Sequence, residues 1–160
     1  MNWIYKTIPM GDITQFPENT FGFVYMTTHK PTGKSYIGKK VLFHNQKKKL
    51  GKKELAALAG IVGRRPSYKL VVKESDWKTY YGSQTDIKQL LLEGKKDEFE
   101  RTILKVVETK KQLTYFEIKY QMLYQVLEKP DEFFNDNILG KFFTRDLADL
   151  KFEDSVSNSI

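Results

Sequence analysis

The chain predicts a small mixed α/β (α+β) domain, built on a mainly antiparallel three-stranded central sheet flanked by helices. Three observations predict it. Segments 22–28 and 35–43 are rich in aromatic and β-branched residues and flank Pro31-Thr32-Gly33. There Pro fixes φ and Gly accepts φ > 0, so the stretch predicts a hairpin. A third strand-like run spans Phe99 to Val107. Finally, Phe116, Tyr120, Leu123 and Leu127 recur at the i, i+4, i+7, i+11 spacing of a buried helical stripe.

In chain order, residues 1–21 carry weak signals, with Trp3-Ile4-Tyr5 a candidate extra strand. The hairpin follows, and then a basic insert over 44–75. Within the insert, Lys52 to Gly63 holds a helix-favouring Glu-Leu-Ala-Ala-Leu-Ala run that ends in glycines. Pro66 breaks what comes next. Ser83 is a candidate N-cap for a short helix with Ile87, Leu90 and Leu91 inward, closing at Gly94. Thr114 is the expected cap of the long helix, Tyr115 to Glu128, with Glu117 at the capping-box position and Pro130 as its stop. Phe133 to Phe143 reads as a last strand or ordered segment, and Arg145 to Phe152 as a terminal helix. One domain over 1–160 is expected, with a core of about 22–143 and a short appendage at 144–160.

Composition narrows the classes. Apolar residues make up 40% of the chain and aromatics 14%, which excludes a disordered chain. The absence of cysteine excludes disulfide scaffolds and thiolate metal sites. No apolar run approaches the ~18 residues of a membrane span, and the first 22 residues lack the apolar core of a signal peptide. An intracellular protein without a membrane partner is expected. The net charge is +7, yet residues 39–73 alone hold nine lysines, two arginines and one acid. Such concentrated positive charge is an electrostatic footprint for a polyanion, or else a solvated loop.

Strand alternation gathers candidate chemistry. Tyr36, Gly38 and Lys40 share one face of their strand. If the hairpin sets Tyr25 opposite Tyr36, both phenols point the same way, with Lys40 beside them. A phenol, with its pKa near ~10, is a poor base until a cation or metal lowers that value. Glu117 is the best candidate carboxylate, because one carboxylate plus waters suffices to anchor Mg²⁺; the structural alternative is a capping glutamate. Other motifs fail. Gly33-Lys34-Ser35 lacks the first glycine of a phosphate-binding loop, and His29 and His44 have no metal-ligand spacing.

Phe23-Val24-Tyr25, followed after ten residues by Tyr36-Ile37-Gly38, resembles the signature of GIY-YIG nucleases. Tyr80-Tyr81-Gly82-Ser83, Asp86 to Leu90, and Phe99 to Leu104 follow the helix–strand order of phage homing endonucleases of that family, the Seg type in particular. Tyr115-Phe116-Glu117 resembles their metal-binding helix, and Phe134-Asn135-Asp136-Asn137-Ile138 their closing aromatic-Asn-Ile segment. The resemblance covers about residues 22–143. It implies a divalent-metal-dependent DNA endonuclease with no small-molecule cofactor. Tyr25 is then general base or water-orienting group, Tyr36 its partner tyrosine, and Glu117 the ligand of a single Mg²⁺ or Mn²⁺. Asn135 or Asn137 supports the site. The insert, with Lys39, Lys47, Lys48, Lys49, Lys52, Lys53, Arg64 and Arg65, grips DNA phosphates.

Two positions depart from the family pattern. Phe23 replaces the glycine of the first triplet, and no arginine follows the second triplet before Arg64 and Arg65. The candidate transition-state cations are Lys40, Lys39, those arginines and Arg101, and alternation favours Lys40 over Lys39. The alternative function is a catalytically weak or inactive DNA-binding module on the same fold.

Overall fold

The computed structural model describes residues 2–60 and 63–147. Along the chain run β1 (Trp3–Tyr5), β2 (Ile8–Met10), β3 (Gly22–His29), β4 (Ser35–Val41) and β5 (Phe43–Lys49). Then come α1 (Lys52–Ala57), β6 (Tyr68–Glu74), α2 (Thr85–Leu92), β7 (Phe99–Val107), α3 (Lys110–Leu123), β8 (Asn137–Ile138), β9 (Phe142–Phe143) and α4 (Thr144–Leu147). The central sheet has five strands in the order β2-β1-β7-β3-β4, not three. β3 pairs antiparallel with both β4 and β7, and β1 joins β7 in parallel. The first hairpin turns through Lys6 and Thr7, both at positive φ and neither a glycine, so its turn left no sequence signal.

The sheet buries both faces. On one, Trp3, Phe23, Tyr25, Leu42, Trp77 and Ile103 pack together. On the other, Val24, Ile37 and Val107 meet Leu113, Val126 and Leu127. Trp3 donates its indole N–H to the Trp77 carbonyl at 2.7 Å, tying the N-terminal strand to the far side of the insert. α2 adds a third cluster through Ile87, packed with Tyr81, Phe99 and Phe134.

Several boundaries differ from expectation. The second hairpin strand ends at Val41 instead of 43; Leu42 turns into the core and the chain leaves the sheet. The insert is itself a β-ribbon, β5 paired with β6, and its helix stops at Ala57. The α2 cap is Gln84, whose side chain accepts from the Ile87 amide, not Ser83. The α3 cap is Thr109, whose hydroxyl accepts from Gln112, so the helix starts five residues before Thr114 would have placed it. It also ends early, at Leu123, which is 65% exposed and not part of a buried stripe. Residues 133–143 are mostly irregular, with only the two-residue strands β8 and β9. The expected terminal helix is seen as α4 over Thr144–Leu147, and its remainder lies outside the described residues.

The hairpin register explains Gly38. Tyr25 lies opposite Gly38 and Tyr36 opposite Thr27, so the two tyrosines are diagonal neighbours, not a directly facing pair. Both still project from one face, with ring centroids 6.2 Å apart. A Cβ on Gly38 would sit 2.5 Å from the Tyr25 hydroxyl and 2.9 Å from the Tyr36 ring. The glycine is therefore space reserved for the first phenol. Gly38→Ala is expected to destabilise the chain by about 1–3 kcal/mol through overpacking, read as a lower urea midpoint. An unchanged midpoint would show that the tyrosine moves aside freely.

Candidate active site

β4 is the edge strand of the sheet, and its outer backbone groups need partners. The segment after α3 supplies them. Ser35 donates to the Glu132 carbonyl at 2.9 Å, and Phe134 donates to the Ser35 carbonyl at 2.8 Å. At Ile37 a side chain takes over from the backbone. Asn135 accepts from the Ile37 N–H at 3.0 Å and donates to the Ile37 carbonyl at 2.9 Å. The buried Gln121 of α3 donates to that same carbonyl at 3.0 Å. The middle residue of Tyr36-Ile37-Gly38 is thus clamped by two amides from distant parts of the chain.

A cavity of about 440 Å³ wraps around this edge. Tyr36, Ser83 and Thr85 line it from one face of β4; Lys39, Glu117 and Gln121 line it from the other; Asn135, Asp136 and Asn137 close it. The Tyr36 phenol and the Ser83 hydroxyl lie 3.5 Å apart. Lys39 Nζ is 3.5 Å from Glu117 Oε1 and donates to Thr114 Oγ1 at 3.2 Å. Asn137 Nδ2 donates to Asp136 Oδ1 at 2.7 Å, and its Oδ1 accepts from the Gly140 amide at 3.0 Å.

Burial sets the protonation of the site. It pushes the Glu117 carboxyl above its ordinary pKa, and the neighbouring Lys39 offsets part of the rise. It raises the Tyr36 phenol, against a hydrogen bond to Ser83 that lowers it. Tyr25, only 1% exposed, is raised well above the usual phenol value by burial and then by Tyr80 and Tyr36 beside it. Burial thus favours the neutral form of both phenols. Glu117 sits mid-helix, far from a cap, so the capping role considered for it does not apply.

The other candidates divide. Strand alternation does put Lys40 on the tyrosine face, but its ammonium is ion-paired with Asp76 and lies 3.9 Å from the Tyr80 ring centre, away from Glu117. Among the described cavity residues, Lys39 is the cation beside that carboxylate. Of the two lysines, Lys40 lies on the tyrosine face and Lys39 on the Glu117 side, and the cavity folds around the edge between them. Arg101 is buried, donates to the Lys78 and Tyr80 carbonyls, and stacks on Trp3 and Tyr81; it holds that loop in place. Lys47, Lys48, Lys49, Lys52, Lys53, Arg64 and Arg65 are exposed on the insert. Asp136, Ser83 and Thr85 also line the cavity, and the signal the sequence offers for them is their position beside Asn135 and at the start of α2.

The family model described as "Putative endonuclease segE, GIY-YIG domain" matches residues 3–138. The chain belongs to the GIY-YIG endonuclease family. No match is found among curated proteins or solved structures. GIY-YIG nucleases generally use divalent metals, and a nuclease domain implies a DNA substrate. The cavity suits a hard, oxygen-seeking cation that keeps most of its waters: its lining offers the carboxylate oxygens of Glu117 and Asp136 and the amide oxygen of Asn137. It does not suit a zinc-type cage, since no group of three or more His, Cys, Asp or Glu side chains gathers among the described residues.

Two outcomes follow for this GIY-YIG site. Asn135→Ala leaves the buried Ile37 N–H without its partner and is expected to cost about 1–3 kcal/mol, measured by chemical denaturation; Asn137→Ala, at a partly exposed position, is expected to cost much less. Glu117→Gln is expected to raise the thermal midpoint at neutral pH. Because the folded carboxyl has the higher pKa, its penalty is absent below the ordinary carboxylate range and complete above its raised value. The gain should vanish as the pH falls below that range. A parent chain at least as stable as the glutamine variant at neutral pH would overturn this account.

Proposed function

We propose that the chain is a divalent-metal-dependent DNA endonuclease of the phage or mobile-element homing type, hydrolysing phosphodiester bonds inside the cell. The observation that carries the reading is the convergence of Tyr36, Lys39, Glu117 and Asn135 on one cavity at the edge of β4. Glu117, in a cavity that Asp136 and Asn137 also line, is the group that would hold Mg²⁺ or Mn²⁺. Such an ion supplies Lewis-acid neutralisation of phosphate charge when bound.

The chain's own groups do the rest. Tyr36, at the cavity wall, donates its phenolic hydrogen bond to a phosphate oxygen or to the incoming water. Tyr25, behind it and buried, fixes the Tyr36 ring and serves positioning better than proton abstraction, because its pKa is raised. Lys39 takes the place of the absent arginine, placing a positive charge where the phosphate gains negative charge. Water adds to phosphorus, the P–O bond to the leaving sugar oxygen breaks, and one product keeps the phosphate while the other gains a hydroxyl. Exposed lysines of the insert neutralise flanking phosphates, so affinity falls steeply with salt.

One observation favours the second reading, a DNA-binding module of weak or no activity: a lysine stands beside Glu117 where the family pattern has an arginine on a following helix. Supercoiled-plasmid cleavage separates the two. With Mg²⁺ or Mn²⁺, the parent chain is expected to nick or linearise the plasmid. Glu117→Ala and Lys39→Ala should each lose on the order of 10²-fold or more in rate, and Lys40→Ala should lose far less. Intact plasmid with every divalent ion tested, alongside normal DNA binding, would establish the binding module instead.

A further inference from the structure

The ribbon of β5 and β6 carries more than charge. Its register pairs Asn45 with Val72, Lys47 with Leu70, and Lys49 with Tyr68. Directly paired residues in an antiparallel ladder share a face. One face of the ribbon therefore sets a polar and cationic row, Asn45 and Lys47, beside an apolar row, Tyr68, Leu70 and Val72. That apolar row is open to solvent: Tyr68 is 57% exposed, Leu70 66% and Val72 67%. On the opposite face Lys69 is bonded to Glu54, which ties α1 to that side. Both faces of the ribbon are largely open to solvent, and only the first carries the exposed apolar row.

We propose that this first face enters the major groove of duplex DNA and reads base sequence. The proposal rests on the nuclease reading for its substrate class and goes beyond phosphate binding to name the element that selects the site. Exposed apolar side chains on a segment this basic are unexplained by solubility and mark a contact surface. The mixture of chemistries chooses the occupant. A membrane-inserting face would have to bury Asn45 and Lys47 along with Leu70 and Val72. A second copy would bring two strongly basic ribbons together. The floor of the major groove presents thymine methyls beside purine acceptors and donors, which matches an apolar row beside an amide and an ammonium. Its width of about 12 Å accepts two strands roughly 4.8 Å apart with their side chains. Seven residue pairs at about 3.3 Å each cover roughly six base-pair steps of about 3.4 Å.

The base of the ribbon is fixed. The Ser75 amide donates to the Leu42 carbonyl at 2.8 Å, and its hydroxyl donates to the Val41 carbonyl at 2.6 Å. Leu42 is itself buried in the core. The reading face is thereby held to the end of β4, the strand that carries Tyr36 and Lys39, so the sequence read would sit at a set distance from the bond cut.

The test is selection from a randomised duplex pool with the full chain, in EDTA so that nothing is cut, followed by affinity for the selected and a scrambled duplex over a salt series. The parent should enrich a motif of about half a helical turn. The triple variant Asn45→Ala/Leu70→Ser/Val72→Ser should lose about tenfold or more of the selected-to-scrambled ratio, with its salt slope kept. Lys52→Ala/Lys53→Ala should weaken both duplexes alike and flatten the slope. Absence of a selected motif, or a motif ratio unchanged in the triple variant, overturns the proposal. So does a shift from dimer to monomer in that variant with the ratio kept, which would assign the face to self-association. Loss of the nuclease reading looks different: a motif-selective chain that cuts no DNA when a divalent ion is restored.

Discussion

The backbone of Ile37 is the constraint around which this molecule is arranged. An edge strand cannot leave its polar groups bare inside a packed protein. Here the edge is closed by the backbone of a chain segment at Ser35, through two bonds, and then at Ile37 by the side-chain amides of Asn135 and Gln121. A side chain can finish the ladder without adding another strand, so the neighbouring surface stays open as a cavity. Tyr36 on one side of Ile37 and the Lys39–Glu117 pair on the other both border that opening. Satisfying the edge and shaping the site are one structural solution.

This geometry explains which parts of the site were legible in the sequence. The hairpin, the third strand and the shared face of Tyr25 and Tyr36 follow from alternation and turn chemistry, which are local. Alternation places Lys39 opposite the tyrosines, as the structure has it; what no local rule conveys is that β4 lies at an edge, where opposite faces meet. Thr114 offered the better-looking capping box, yet Thr109 with Gln112 is the cap used, because Leu113 belongs inside the helix and in the core. The first hairpin was half visible: Trp3 to Tyr5 reads as a strand, but Lys6-Thr7 carries none of the residues that normally announce such a turn. The order of the sheet, with β1 parallel beside β7, is a long-range outcome of burying Trp3.

The tyrosines show how a signature can be structural and chemical together. Tyr25 packs at the centre of an aromatic cluster with Trp3, Phe23, Tyr36 and Tyr80. Gly38 and Gly82 provide the space around its hydroxyl, and Gly82 has a φ of +132°, which other residues rarely adopt. A register shift in the pairing of β3 with β7 falls between Val24 and Tyr25. Bulges re-aim side chains at such places. The phenol is thus fixed from several directions, and the more accessible Tyr36 inherits a rigid backing.

The neck at Leu42 and Ser75 has a consequence for descent as well as for shape. Its two ends are hydrogen-bonded to each other, so the intervening 32 residues form a closed detour that begins and ends at the same point of the core. Residue pairs can be added to or removed from such a detour without moving the sheet. Within the detour, residues 43–49 and 68–74 contribute nothing to the lining of the cavity at β4. The ribbon and the sheet can therefore vary in sequence at different speeds.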